Sequence, residues 1–216
     1  MNSRYVAYID ESSAPRPPKH QEYMVCAAII DTEHLDAVRD ALVQLRLPGQ
    51  IKLHWTDESS KRRQRIIDTV CALDSMQAII THRSEPSRKT ERYRRKCLEQ
   101  LYFELSEMGV QNITLESRQV AQNRRDVAHI VALQGQGQHP ELRLRHKRGG
   151  DDPLLWIPDT VLGALNSAHL GQSHYWESLE DKVILHHPTP GSLQREAKTP
   201  SPVVRLGSRG LLPILS

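Results

Sequence analysis

The chain has 216 residues, which is enough for one domain with a sizeable core but leaves little room for a second. Hydrophobic residues make up 38% and charged residues 25%, as in globular proteins, and no apolar run approaches the roughly 20 residues that span a bilayer. The formal net charge of +3 is too small to indicate a class of partner by itself.

The amino terminus and the cysteines indicate where the protein works. The first residues, MNSRYVAYIDESS, lack the apolar segment of a signal peptide, so we expect a cytoplasmic protein. Cys26, Cys71 and Cys97 are widely spaced in apolar or helical segments, which is typical of reduced, packed thiols. No pair of cysteines has the spacing of zinc ligands, and we expect no zinc site.

Strands and helices alternate through the first half of the chain. The predicted elements are a strand at 4–9, a loop at 14–18, a strand at 23–30 and helices at 33–46 and 56–73. The loop is predicted because its three prolines cannot continue a strand. The strand at 23–30 is expected to lie antiparallel to the first.

The same alternation continues in the second half. The predicted elements are strands at 76–82, 112–116 and 141–146 and helices at 86–108, 118–133 and 153–168. This order predicts an α/β protein with a mixed central β-sheet flanked by helices. Periodicity is lost near the end, so we expect one domain over 1–185 and a proline-rich, flexible tail over 186–216.

Three acidic residues occupy positions that neither packing nor solubility explains. Asp10 directly follows the first strand, Glu116 ends the strand at 112–116, and Asp159 lies inside the apolar helix at 153–168. Ligands of open α/β sheets bind at the carboxyl ends of strands. A helix packed across those ends would point Asp159 at the other two acids. We therefore predict a catalytic, metal-binding cluster of these three carboxylates.

Each of the three acids also has a structural interpretation. Asp10 can begin a turn that includes the following serines. Glu116 can pair with Arg118 as a salt bridge at the sheet edge, and Asp159 can cap a helix that restarts after Pro158. The sequence leaves these alternatives open.

The chemistry of the cluster points to a divalent cation. Carboxylates gathered in one place repel one another and need a proton or a cation. Mg²⁺ and Mn²⁺ suit oxygen-only sites made of carboxylates, water and substrate phosphate. Two such ions about 4 Å apart promote phosphodiester cleavage. We therefore expect Mg²⁺ or Mn²⁺ as cofactor and a nucleic acid, RNA or DNA, as partner.

Three further residues lie near the predicted site strands. His54 follows the short segment IKLHW and precedes a helix, so it is a candidate for proton transfer in the cleft. The alternative is a histidine packed beside Trp55 at the start of that helix. Lys52 and Arg118 are candidates to hold phosphate.

Basic residues are concentrated in 61–65 (KRRQR) and 88–96 (RKTERYRRK). On a helix, Arg88, Arg92 and Arg95 share one face. This face is predicted to contact nucleic-acid phosphates, because Lys and Arg neutralise phosphates and release counterions. A solvated helix face is the alternative.

At this point the sequence resembles a widespread group of uncharacterised bacterial proteins, a domain of unknown function. Its members open with a strand ending in Asp-Glu-Ser and carry an aspartate in an apolar helix near the end of the domain. The matching segments are 5–13 (YVAYIDESS), 114–118 (TLESR) and 154–165 (LLWIPDTVLGAL). The resemblance spans roughly 4–185 and implies a ribonuclease H-like fold and a metal-dependent nuclease or a relative of one.

The resemblance also implies where the acids lie and where this chain departs from the pattern. The first strand, the fourth strand and the last helix each supply an acid, matched in order by Asp10, Glu116 and Asp159. The central acid of the pattern is Asp, where this chain has Glu. The fourth acid, on the first helix, has no clear counterpart. Its candidate substitutes are Glu11, Asp57, Glu58 and Asp126.

Two functions follow from these observations. The first is a nuclease that uses the carboxylate cluster and Mg²⁺ or Mn²⁺. The alternative is a catalytically degenerate nucleic-acid-binding or scaffold protein on the same fold, favoured by the two departures. Glycoside hydrolysis by a carboxylate pair ranks last, because 5% aromatic residues is too few for a sugar-binding platform.

Overall fold

A computed structural model describes residues 3–87 and 90–194 of the chain. The strands are Tyr5–Arg16 (β1), His20–Asp31 (β2), Met76–Ser84 (β3), Asn112–Glu116 (β4), Arg143–Lys147 (β5) and Val183–Pro188 (β6). The α-helices are Leu35–Val43 (α1), Ser60–Ala72 (α2), Thr90–Glu107 (α3), Val120–Gly135 (α4), Trp156–His169 (α5) and His174–Leu179 (α6).

The six strands form one mixed sheet in the order β5-β4-β1-β2-β3-β6. Strand β2 runs antiparallel to both of its neighbours, whereas the other pairs are parallel. Helices α1, α2, α5 and α6 cover one face, and α3 and α4 cover the other. The predicted fold class, a mixed central sheet flanked by helices, is confirmed.

Alternation along β1 decides which side chains face which helices. Successive strand residues point to opposite faces of a sheet. Tyr8 packs in the core beneath α1, α2, α5 and α6, whereas Ala7 and Ile9 pack in the core beneath α3 and α4. The even-numbered residues of β1 therefore face α5, and the odd-numbered residues face α3.

The predicted loop at 14–18 is wrong in its first part. Strand β1 continues to Arg16 and pairs with β2 as one long hairpin, so Asp10 lies within the strand and not at its end. The pairing of β1 with β4 extends only to Ile9 and Leu115. Beyond that point one edge of β1 is open, and a proline facing an open edge costs the sheet no hydrogen bond.

Strand β6 is absent from the sequence expectations. It pairs in parallel with β3 and crosses the predicted domain boundary at residue 185. Residues 195–216 lie outside the described residues, so the flexible tail stays a prediction for that segment. Over the described part of the chain, no helix combines the length and apolar character needed to cross a membrane.

Candidate active site

Asp10 and Glu116 lie side by side on neighbouring strands. Strands β1 and β4 are parallel, and their register pairs Tyr8 with Thr114 and Ile9 with Leu115. The next residue of each strand is the acid. Because Ile9 and Leu115 are both buried beneath α3 and α4, Asp10 and Glu116 point to the opposite face, toward α5.

Helix α5 brings the third acid to the same place. Asp159 lies in the first turn of the helix, and it lines a cavity of about 530 Å³ together with Asp10 and Glu116. His54 and Trp55 form another part of the wall. Residues more than a hundred positions apart in sequence therefore share one pocket. The resemblance implies that the last helix supplies this acid. In the structure, Asp159 lies on α5, and one more short helix, α6, follows it.

Each carboxylate is held by one hydrogen bond. The backbone N–H of Glu11 donates to Asp10 Oδ1 at 2.8 Å. The backbone N–H of Trp55 donates to Asp159 Oδ2 at 2.8 Å, and Lys52 Nζ donates to Glu116 Oε1 at 2.7 Å. Within the described ranges, the second oxygen of each carboxylate has no hydrogen bond. Three carboxylate oxygens thus remain available for a ligand.

Burial and mutual repulsion disfavour the charged forms of two of the acids. Burial raises the pKa of Asp10 well above its usual value, and the charges of Glu116 and Asp159 raise it further. Burial also raises the pKa of Asp159, although the Trp55 N–H, His54 and Lys52 act in the opposite direction. The pocket therefore has an excess of negative charge that a cation would relieve.

Lys52 already supplies one positive charge. Burial alone would lower the pKa of Lys52, but its hydrogen bond to Glu116 and the charges of all three acids outweigh burial and raise it. The lysine side chain is 37% exposed, so it has room to move away from Glu116. The alternative interpretation of Glu116, a salt bridge with Arg118, is wrong, because Lys52 is the partner.

The donor set suits a hard divalent cation, since it consists of carboxylate oxygens with an unfavourable excess of charge. With the side chains in their present positions, no three His, Cys, Asp or Glu residues within 3–87 and 90–194 are grouped closely enough to hold a metal ion. The residues therefore fit a divalent cation in the type of their donor atoms and in their charge. The residues that would hold the ion are Asp10, Glu116 and Asp159, with Lys52 competing at Glu116.

His54 caps the short 3₁₀ turn Trp55–Asp57 and lies on the pocket wall. Its Nδ1 accepts the N–H of Thr56 at 3.4 Å and lies 2.8 Å from the Thr56 hydroxyl. The ring is thus fixed at one nitrogen. The residue starts a helical turn beside Trp55 and also borders the cleft, and proton transfer by His54 stays a prediction.

Arg118 is engaged by acids inside the protein. Its guanidinium lies 3.3 Å from Glu11, 3.8 Å from Glu91 and 3.7 Å from Asp126. Among the described residues, however, the Nε and Nη2 atoms of Arg118 have no hydrogen-bond partner, because Glu11 and Asp126 bind Arg94 more closely. Phosphate binding by Arg118 therefore stays a prediction.

The basic face of α3 lies apart from the carboxylates. Arg92 and Arg95 are exposed on α3, which covers the face of the sheet opposite to α5. Arg88 lies outside the described residues. The structure thus does not bring Arg92 and Arg95 together with the acids, and their contact with nucleic acid stays a prediction.

None of the four candidate substitutes provides a free fourth carboxylate in the pocket. Glu11 and Asp126 both bind the buried Arg94, and Glu58 binds Arg62 at 2.9 Å. Asp57 lies on the 3₁₀ turn and accepts from the Thr56 hydroxyl. Glu11 borders the pocket, but its side chain is directed to the α3 face, as strand alternation requires.

Several residues that line the pocket were not predicted from the sequence. Trp55 holds Asp159 through its N–H, and its ring packs directly on Gly163 of α5, where an added Cβ would overlap the indole. Ser12 and Asn166 also line the pocket and are linked by a hydrogen bond of 3.0 Å. A glycine inside an apolar helix is a usable sign of close packing, but its partner cannot be identified without the fold.

Comparisons with known proteins find likeness at the level of structure only. No protein-family model matches the chain, and no curated protein matches it. RNase HII from Archaeoglobus fulgidus, solved as a complex with PCNA, is 16% identical, with 82% of this chain and 77% of that chain covered and a TM-score of 0.44. Ribonuclease H2 from Pyrococcus horikoshii is 15% identical, with 82% of this chain and 76% of that chain covered and a TM-score of 0.41.

A third similar structure is Bst-RNase HIII in complex with Mn²⁺. It is 12% identical, with 84% of this chain and 55% of that chain covered and a TM-score of 0.39. All three of these proteins are ribonucleases H. Likeness at these TM-scores does not decide an activity.

Proposed function

We propose that the protein is a metal-dependent nuclease that hydrolyses phosphodiester bonds of RNA or DNA in the pocket between β1, β4 and α5. One observation carries the proposal: three acids from distant parts of the chain line one pocket, where burial and mutual repulsion raise the pKa of Asp10. Burying three neighbouring carboxylates costs free energy of folding. Acids with strongly shifted pKa values are concentrated at functional sites, where a ligand compensates the charge.

Asp10, Glu116 and Asp159 are proposed to hold Mg²⁺ or Mn²⁺ through the oxygens that have no hydrogen bond in the described structure. The cation would supply Lewis-acid stabilisation of charge on the phosphate oxygens. The N–H groups of Glu11 and Trp55 fix the orientation of two of the carboxylates. These bonds preorganise the site, which lowers the cost of binding.

Lys52 and His54 are proposed to act on the substrate. With Glu116 engaged by a cation, Lys52 would be free to pair with a phosphate oxygen of the nucleic acid. Among the described residues, Nε2 of His54 has no hydrogen-bond partner, while Nδ1 is held by Thr56. That free nitrogen is the group that would exchange a proton in the cleft.

Metal binding and cleavage by matched variants test the proposal. We expect Mn²⁺ to bind wild type in titration calorimetry, and Asp10→Asn and Asp159→Asn to bind it at least about 100-fold more weakly. Labelled RNA, DNA and RNA–DNA duplexes of one sequence, incubated with Mg²⁺ or Mn²⁺, should be cleaved by wild type and lose that cleavage in both variants.

Asp40→Asn is the matched control, because Asp40 is an exposed aspartate on α1, away from the pocket. It should bind Mn²⁺ and cleave like wild type. Cleavage by Asp10→Asn at the rate of wild type, with thermal unfolding unchanged, would contradict the proposal.

The Lys52–Glu116 ion pair favours a second candidate, a nucleic-acid-binding protein with a degenerate site. In that case the ammonium group permanently replaces a cation at Glu116. The discriminating variant is Lys52→Met, which removes the charge and keeps much of the apolar stem. A degenerate site predicts that wild type binds nucleic acid without cleaving it, and that the variant gains Mn²⁺ affinity. An active site predicts weaker substrate binding by the variant.

A further inference from the structure

A buried ion pair lies at the far end of the β1–β2 hairpin. Arg16 on β1 is 5% exposed and Glu22 on β2 is 1% exposed, and Arg16 Nε donates to Glu22 Oε2 at 2.7 Å. The hairpin turn brings the two residues together across the ladder. Arg16 is therefore held in one position by a charged partner inside the protein.

The fixed arginine sets the orientation of an amide on α5. Arg16 Nη2 donates to Asn166 Oδ1 at 2.6 Å. A guanidinium has only donors, so the oxygen of the amide must face Arg16 and the nitrogen must face away. That nitrogen, Nδ2, donates to the hydroxyl oxygen of Ser12 at 3.0 Å.

The orientation of the amide in turn decides what Ser12 offers to the pocket. Because Ser12 Oγ accepts from Asn166, its hydroxyl hydrogen is left to donate elsewhere. Among the described residues, this hydroxyl donates no hydrogen bond. Ser12 lies two residues beyond Asp10 on the same face of β1, and Ser12 and Asn166 both line the carboxylate pocket.

We propose that Ser12 is a substrate-binding residue whose hydroxyl donates to an acceptor oxygen on the sugar–phosphate backbone of a nucleic acid. Asn166 and Arg16 are positioning residues that keep this donor directed into the pocket. The inference rests on the proposed function, because it assumes that a nucleic acid occupies the pocket. The acceptor is either a ribose 2′-hydroxyl or a phosphate oxygen, since both accept from a hydroxyl.

Binding of matched RNA and DNA strands tests the inference separately from cleavage. Fluorescence anisotropy is measured in Ca²⁺, an oxygen-binding ion of looser coordination geometry than Mg²⁺. We expect Ser12→Ala to bind about 3- to 10-fold more weakly, the effect of one lost hydrogen bond. Ser12→Thr keeps the hydroxyl and should stay within about twofold of wild type.

Asn166→Asp is the informative second variant. The new carboxylate still accepts from Arg16, so the fold is preserved, but it cannot donate to Ser12. The Ser12 hydroxyl then turns to donate to the carboxylate, and the pocket loses its donor. We expect binding to weaken as in Ser12→Ala. The Ser12→Ala/Asn166→Asp double variant should be little weaker than either single one, whereas repulsion by the added charge alone would be additive.

Ser178→Ala is the control, because the Ser178 hydroxyl bonds within its own helix to the carbonyl of His174. It should bind both strands like wild type. A Ser12→Ala loss confined to RNA identifies a 2′-hydroxyl as the acceptor, and an equal loss for RNA and DNA identifies a phosphate oxygen.

Two results would overturn the inference, and they are distinguishable. If wild type binds and cleaves nucleic acid and Ser12→Ala does so equally well, the role of Ser12 is wrong while the proposed function stands. If wild type binds neither RNA nor DNA, the proposed function fails and the role of Ser12 fails with it.

Discussion

Gly163 decides how closely the 3₁₀ turn that contains Trp55 approaches α5. The indole of Trp55 occupies the space that a side chain at Gly163 would take. It is held there by an edge-on contact with Tyr175, with ring centroids 5.1 Å apart, and by a hydrogen bond to Ser167. The Trp55 N–H consequently reaches Asp159. A missing side chain on one helix thus positions a carboxylate one turn away.

We expect Gly163→Ala to displace Trp55 and to lower the free energy of unfolding by about 1–3 kcal/mol, the usual cost of overpacking a core. Loss of the Trp55 N–H from Asp159 should also weaken Mn²⁺ binding in titration calorimetry. Gly135→Ala is the control, because an added Cβ at the end of α4 meets no atom within 4 Å. Equal stability of the two variants would contradict this account of the packing.

One arginine of helix α3 is buried, although the basic sequence of the helix does not distinguish it from its exposed neighbours. Arg94 is 2% exposed, and its guanidinium binds Asp126 on α4 and Glu11 on β1. Burial alone would raise the pKa of Asp126, but hydrogen bonds from His146 and Arg94 outweigh it, so the pKa is lowered. One side chain thereby joins two helices to the sheet.

We expect Arg94→Met to lose about 3–5 kcal/mol of unfolding free energy at pH 7, because it removes the buried guanidinium partner of the buried Asp126. A lowered folded-state pKa means that the stabilisation is present above the unfolded value of Asp126 and is lost as pH falls through the folded value. The difference between variant and wild type should therefore shrink below about pH 4, measured by urea unfolding over a pH series.

Arg95→Met serves as the control for that series, because Arg95 is exposed on the same helix and lies 3.9 Å from Glu91. Its effect should be within about 0.5 kcal/mol at every pH. A constant loss for Arg94→Met from pH 7 to pH 3 would show that packing, and not charge pairing, determines its contribution.

At the scale of the whole molecule, the ordered chain extends past the predicted domain boundary. Strand β6 adds an edge to the sheet beside β3, and Leu185 packs against the core beneath α3 and α4. The backbone continues to pair beyond the strand, since Thr189 N–H donates to the Thr81 carbonyl at 2.8 Å. We therefore propose that the domain extends at least to residue 194.

Two truncations measure where the domain ends. A chain ending after Gln194 should keep the melting temperature of the full chain to within about 3 °C, roughly 1 kcal/mol for a protein of this size. A chain ending after Leu185 removes half of β6 and its bonds to β3, and it should melt at least about 5 °C lower. Equal melting of both truncations would restore the boundary at 185.

The sequence by itself determined the local features of this protein. Period-two and helical patterns predicted most strands and helices, because backbone conformation follows from nearby side chains. The pattern also identified Asp10, Glu116 and Asp159 as acids that packing does not explain, although their role remains a prediction.

Only the tertiary structure decided which distant side chains meet. The strand order placed Asp10 beside Glu116, and the path of the irregular segment after α1 brought Lys52, instead of Arg118, to Glu116. The extension of β1 past Pro15 and the addition of β6 depended on which sheet edges were left open. Such contacts join residues far apart in the chain, so no local pattern encodes them. The physical reason is that burial, which decides these pairings, exists only after the chain has folded.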